Sequence, residues 1–326
     1  MRKIVIPDWD TMDAVDLGFS VFGQFGEVIC CGSTAPEEAA ERIGDAQVVL
    51  CNKTPITAQV MEACPKLEYI GLFATGYNNI DIEAANRFGI AVCNAGEYST
   101  QAVVQHTYAL LLSLAGSLPA YFQAVQDGAW ERSRTFSWFP YPVHELFGKT
   151  LAVIGYGSIG RRVAAVGEAF GMRVIVHTRR TPADCPYPLV SREEAFREAD
   201  VLTVHCPLNA DTALMVRKET LSLMKKSAYL INTARGGIVC EQDLADALNA
   251  GTIAGAAVDV LTQEPMSPET PLKTAKNCLI TPHVAWSAME TRERLVGIVA
   301  ENLRSYLAGT PKNLVNAPQR KRGEVC

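Results

Sequence analysis

Short runs of β-branched and apolar residues, separated by stretches of helical periodicity, recur along nearly the whole chain, and this alternation constrains the fold more than any other feature. Parallel strands need a crossover long enough to hold a helix, so the alternation points to parallel α/β architecture rather than a sandwich or a helical bundle. The runs fall into two blocks. The first holds KIVIPD (3–8), EVICCG (27–32), QVVLCN (47–52), LEYIGLF (67–73) and IAVCNA (90–95), with helical patterns such as DIEAANRFG stopping at Gly89. The second runs from TLAVIG (150–155) through MRVIVHT, DVLTVHC, AYLINTA and IAGAAVDV to NCLITPH.

Between the blocks a single long helix is predicted over residues 99–127, with Ser99 or Thr100 to cap its start and Gly128 to stop it. The segment 130–147 that follows is rich in Trp, Phe and Pro, and such a density of aromatics suits contact with a partner subunit. A last helical pattern, SAMETRERLVGIVAENLRSYLAG, carries Leu295, Ile298, Val299 and Leu303 on one face and is expected to return to the first block.

Several function classes are disfavoured by composition. A length of 326 residues, 48% hydrophobic and 20% charged, suits two globular domains. A formal net charge of −5 leaves no basic excess to neutralise phosphates, so no nucleic-acid partner is expected, and the basic run Arg320-Lys321-Arg322 reads as a solvated tail. Ten scattered cysteines without a C-x-x-C read as reduced thiols of a cytoplasmic protein. The start, MRKIVIPDWD, lacks the apolar core of a signal peptide. The most apolar stretch, 108–122, is interrupted by Ser113, Gly116, Ser117 and Pro119 and falls short of the roughly 20 residues that span a bilayer, so no membrane partner is expected.

GYGSIG at 155–160 fits G-x-G-x-x-G, which alone is a weak signal. Here a strand precedes it, SIGRRVAAVGEAFG follows as a helix, and MRVIVHT completes a βαβ unit, the context of a dinucleotide site in a Rossmann-like fold. Gly155 serves the tight turn, Gly157 the approach of a pyrophosphate and Gly160 the packing of helix on strand, with the pyrophosphate on the helix N-terminus. The second strand ends His177-Thr178-Arg179-Arg180. No carboxylate stands there to repel a 2′-phosphate, so NADP(H) is favoured over NAD(H), although Thr178 can also serve NAD(H).

Ligands of open α/β sheets bind beyond the carboxyl ends of the strands. Arg235 follows AYLINTA, Glu264 follows AAVDVLTQ and His283 follows NCLITP. Singly, each reads as an ion-paired Arg, a surface Glu or a satisfied loop His. Together with a nicotinamide they fill complementary roles: an imidazole to move a proton near neutral pH, a carboxylate to support its charged form, and a guanidinium to grip a substrate carboxylate and polarise the neighbouring carbonyl. No metal is called for.

NTARGG (232–237), VDVLTQEP (258–265), TPHVAWSA (281–288), ATGYNNID (74–81) and GKTLAVIGYGSIG (148–160) resemble the signatures of the D-isomer-specific 2-hydroxyacid dehydrogenases, in family order across about residues 45–317. The resemblance implies two Rossmann-like domains with a cleft between them: a discontinuous substrate-binding domain (1–99 and 287–326) and a dinucleotide-binding domain (100–286). It makes Arg235, Glu264 and His283 the catalytic trio with His283 as acid/base, and gives Lys53 and the backbone amides of Thr75 and Gly76, beside Arg235, to the substrate. To the cofactor it gives Ser158, Ile159, Thr178, Cys206, Pro207, Thr212, Thr233, Ala234 and Asp259, next to the glycines and Arg179. A homodimer formed through the long helix and the loop after it is also implied.

ATGYNNID and TPHVAWSA look most like the glycerate dehydrogenase and hydroxypyruvate reductase branch, so the expected reaction is reversible reduction of hydroxypyruvate or glyoxylate to D-glycerate or glycolate. A D-lactate-type or other D-2-hydroxyacid dehydrogenase is the alternative within the family, and a nicotinamide-sensing binding protein without turnover is the alternative of another class.

Overall fold

The computed structural model describes residues 1–12 and 17–319, so the basic run at 320–322 lies outside the described residues. The chain divides into two compact units, Met1–Tyr98 with Ala288–Cys326, and Ser99–Ser287. Every ladder in both is parallel.

The first unit holds β1 (Lys3–Ile6), β2 (Glu27–Cys30), β3 (Val48–Cys51), β4 (Tyr69–Leu72) and β5 (Ala91–Cys93) in the order β2-β1-β3-β4-β5. Each strand is shorter than its apolar run, because the run's last residues turn off to build loops. In KIVIPD, Pro7 has no N–H to extend the ladder, and the buried Asp8 carboxylate instead collects the amides of Asn52, Lys53 and Thr54. The last helix, Met289–Leu307, completes this unit as expected: Leu295, Val299 and Leu303 are wholly buried, and Tyr306 packs on Tyr69 of β4 with ring centroids 4.7 Å apart. Each such aliphatic side chain contributes about 1.5–3 kcal/mol of transfer free energy.

The second unit holds β6 (Thr150–Ile154), β7 (Arg173–His177), β8 (Val201–Val204), β9 (Tyr229–Asn232), β10 (Gly255–Val258) and β11 (Cys278–Ile280), ordered β11-β10-β9-β8-β6-β7. Side chains alternate between two cores, as the strand period of two demands. Ala152, Ile154, Leu202 and Leu230 enter one core, while Leu151, Val153, Val201 and Ile231 enter the other with Val104, Tyr108 and Leu111 of the helix Thr100–Ala115. The order reverses between β6 and β8, which leaves the crevice for a ligand beside the carboxyl end of β6.

The single helix expected over 99–127 is two helices, Thr100–Ala115 and Leu118–Gln126, bent by 63°. Pro119 cannot donate to the preceding turn and its ring would clash with the carbonyl four residues back, so the first helix ends at Ala115 and Ser117 takes a left-handed φ of 49°. Gly128 stops the second helix at φ 72°. Among the described residues no single helix is long and apolar enough to cross a membrane. In the aromatic segment Tyr121, Trp138 and Tyr141 pack edge to face, while Phe136 and Phe139 are 91% and 83% exposed.

Candidate active site

Sheet order brings the three candidate residues together: Arg235, Glu264 and His283 stand just beyond the carboxyl ends of β9, β10 and β11, which are adjacent. Asn232, fully buried at the end of β9, forms the first turn: its side chain accepts from the Ala234 amide at 3.0 Å and donates to the Arg235 carbonyl at 3.0 Å. The exposed Arg235 guanidinium donates to the Ala234 carbonyl at 2.7 Å. Gly236 follows because a Cβ there would lie 1.9 Å from the Leu261 carbonyl carbon, so the Arg235 loop packs backbone to backbone on the loop that carries Glu264.

The Glu264 loop is strapped from the start of the helix Glu241–Ala250, where the Glu241 carboxylate accepts from the Thr262 amide and the Thr270 hydroxyl, both at 2.7 Å. Glu264 accepts from the Leu261 amide through Oε1, and its Oε2 lies 2.7 Å from Nδ1 of His283. A carboxylate can only accept, so the His283 proton at this contact is on Nδ1, and Nε2 is left to exchange a proton with a ligand.

His283 has a φ of 55°, a left-handed backbone that costs a non-glycine residue roughly 1–2 kcal/mol. Asp259, 1% exposed, holds it there: its carbonyl accepts from the His283 amide at 2.8 Å, and its carboxylate accepts from the Val284 and Ala285 amides, each at 2.9 Å, and from the Thr281 hydroxyl at 2.6 Å. Burial opposes ionisation of this carboxyl, but His106, Thr281 and the two amides outweigh it and hold it below the usual carboxylate range.

The glycine loop has the shape a dinucleotide needs. Gly155, at φ 94°, has the His205 and Cys206 backbone 2.7 Å from where a Cβ would be, and a Cβ on Gly160 would lie 2.0 Å from the Gly155 carbonyl oxygen. At Gly157 nothing lies within 4 Å, so the space above the loop is open, and Gly157 is the N-cap of Ser158–Ala169 with no side-chain cap. An uncapped helix start beneath open space suits a pyrophosphate, with Ser158 and Ile159 on the first turn.

The remaining expected contacts sort by exposure. Thr178, Cys206 and Ala234 are partly exposed and Pro207 is exposed along the same strand ends. Burial pushes the Cys206 thiol up to about 11, so it is a packing surface and not a nucleophile at neutral pH. Thr212 folds its own turn, donating to the Pro207 carbonyl at 2.7 Å and accepting from the Asn209 amide at 2.9 Å. The side chains of Thr233 and Asp259 are nearly buried: Thr233 is 8% exposed with its hydroxyl 3.1 Å from that of Thr107, and Asp259 is 1% exposed. Arg179 is exposed, its guanidinium 3.9 Å from the Asp211 carboxylate. In the first unit Lys53 sits on the loop clamped by Asp8, Thr75 donates from its hydroxyl to the Gly96 carbonyl, and the neighbouring Gly76 is partly exposed.

The supports of the site, His106, Thr281, Asn232 and Glu241, escape the sequence reading. Asn232 opens NTARGG and Thr281 opens TPHVAWSA, but nothing in a linear pattern marks them as clamps.

Residues 108–285 match the model of the D-isomer specific 2-hydroxyacid dehydrogenase NAD-binding domain, and the chain belongs to that family. A hydroxypyruvate reductase from Blautia hydrogenotrophica is 39% identical over 322 residues, covering 96% of this chain and 99% of its own. A glycerate dehydrogenase from Methylorubrum extorquens is 37% identical over 318 residues, covering 97% and 99%. Among solved structures, an NADPH-dependent glyoxylate/hydroxypyruvate reductase from Sinorhizobium meliloti, in complex with NADP and malonate, superposes with a TM-score of 0.83 at 29% identity over 99% of each chain. The chain is thus an oxidoreductase that uses a nicotinamide cofactor and takes a small 2-oxo or 2-hydroxy acid as substrate.

Proposed function

We propose that the chain reduces hydroxypyruvate or glyoxylate, reversibly, to D-glycerate or glycolate, using NADPH in preference to NADH. The observation that carries the reading is the 2.7 Å contact of His283 Nδ1 with Glu264 at the carboxyl end of β11, beside the Arg235 loop. A bound nicotinamide supplies or takes up the hydride. In reduction, His283 Nε2 gives its proton to the substrate oxygen as the C–H bond forms, and in oxidation it takes that proton back. Glu264 fixes the tautomer and ring orientation and offsets the positive charge the ring carries before transfer. Arg235 binds the substrate carboxylate through its paired N–H groups and draws electron density from the adjacent carbonyl. Lys53 and the amides of Thr75 and Gly76 are assigned to the same carboxylate.

The NADPH preference rests on the strand end Thr178-Arg179-Arg180, which carries no carboxylate, and on the Arg179 guanidinium, whose contact with Asp211 is long, at 3.9 Å, and solvent-exposed. The exposed Phe136 and Phe139 support a homodimer, and the scattered thiols support a cytoplasmic location.

Reduced-nicotinamide absorbance is followed with hydroxypyruvate, glyoxylate, pyruvate or 2-oxobutyrate against NADPH and NADH. The expected result is fastest turnover with hydroxypyruvate or glyoxylate and NADPH, a loss of NADPH preference in Arg179→Ala, and a fall in kcat of about 10²–10⁴-fold in His283→Ala. Turnover unaffected by His283→Ala overturns the acid/base role. Cofactor binding with no turnover of any acid turns the reading toward a nicotinamide sensor.

A further inference from the structure

His283 is kept in its left-handed backbone by Asp259, and Asp259 is itself held from behind. His106, on the helix Thr100–Ala115 and 175 residues away from Thr281 in sequence, places Nε2 2.9 Å from the Thr281 hydroxyl oxygen and 3.4 Å from Asp259 Oδ1. The protons at this junction can be assigned. Thr281 has one hydroxyl proton, and at 2.6 Å from a carboxylate that can only accept, it is spent on Asp259. Thr281 therefore accepts from His106, and His106 Nε2 carries a hydrogen that points at both Thr281 and Asp259. The helix, the Thr281 hydroxyl, the Asp259 carboxylate and the amides of Val284 and Ala285 then form one continuous hydrogen-bonded brace, which closes on the residue whose ring holds Glu264.

We infer that His106 is a positioning residue for the reaction: its Nε2–H orients the Thr281–Asp259 pair, which fixes the backbone of His283 and so the direction of its imidazole. The inference rests on the proposed acid/base role of His283. It assigns His106 no contact with substrate or cofactor, and it predicts that loss of the Nε2 donor slows the chemical step while leaving cofactor binding in place. An imidazole misplaced by about 1 Å costs on the order of 10²-fold in rate.

The test compares His106→Phe, which keeps a ring but no donor, with His106→Gln, whose amide can donate near the position of Nε2. Thr281→Val, which leaves His106 intact and removes the bridge, keeps the inference testable if His106→Phe does not fold. The chain has five histidines, so a ring-labelled histidine NMR spectrum of the protein without substrate is sparse, and His283→Asn identifies the His283 signal. The expected result is a shifted or broadened His283 signal and kcat lowered by about 10–100-fold in His106→Phe and Thr281→Val. NADPH dissociation constants stay within about twofold, and His106→Gln recovers most of both readouts. An unmoved His283 signal with unchanged kcat in His106→Phe, a His106→Gln no better than His106→Phe, or a kcat loss that only tracks weakened cofactor binding overturns the inference. If His283→Asn itself turns over normally, the acid/base reading has failed; if it is inactive while His106→Phe is not, only the positioning role has failed.

Discussion

At the scale of single residues, the heaviest demand falls on Asp259, which ties four protein groups together and holds a catalytic candidate in a strained backbone. Its carboxyl sits below the usual range in the folded state, so the folded form binds a proton less readily than the unfolded chain. The stabilisation this gives is complete above the ordinary carboxyl value and is lost as pH falls through it toward the folded value. Asp259→Asn is expected to lose about 1–3 kcal/mol at neutral pH, because an amide cannot accept from every donor that now faces it. Urea unfolding of both proteins at pH 5, 4 and 3 should show the parent falling more steeply, by up to about 1.4 kcal/mol per pH unit, and parallel curves would sink this account of the clamp. Arg235, Glu264 and His283 are legible in the sequence because each follows an apolar run directly. What braces them is not, since the His106–Thr281 contact joins residues that only the completed sheet brings together.

Secondary-structure elements were legible wherever period and punctuation agreed, as in the eleven strand runs and the stop at Gly89, whose φ is 71°. At residues 116–119 the two disagree: apolar periodicity continues across Gly116, Ser117 and Pro119 while the helical backbone cannot. At the glycine loop the structure separates two jobs that the motif lumps together. Gly157→Ala adds a methyl to open space at an ordinary φ of −82°, so the folded protein should keep its stability within about 0.5 kcal/mol yet bind NADPH more weakly. Gly160→Ala drives a methyl into the Gly155 carbonyl and should cost about 1–3 kcal/mol of stability. Thermal melts and fluorescence titration of both variants decide the matter, and equal losses of stability would refute the division. Beyond the βαβ unit of the glycine loop, spacing does not give strand order: it cannot say that β9, β10 and β11 lie side by side, because the choice among sheet orders is made by packing across two cores.

For the whole molecule, the exposed Phe136 and Phe139 beside the packed Tyr121–Trp138–Tyr141 cluster should bury apolar surface between two copies of the chain. Sedimentation is expected to give a dimer that persists in about 0.5 M salt, since screening weakens ion pairs and not apolar burial. The Phe136→Ser, Phe139→Ser double variant should dissociate, and a monomeric parent protein would remove the homodimer. The helix Met289–Leu307 has a consequence for synthesis. All strands of the second unit lie between its own first and last residues, whereas the first unit has its five strands before Tyr98 and the helix that covers β4 after Ala288. On the ribosome the second unit can therefore close its sheet before the helix Met289–Leu307 has emerged, while the earlier-made strands of the first unit wait for that helix. The unit whose strands are translated first is the unit that is finished last.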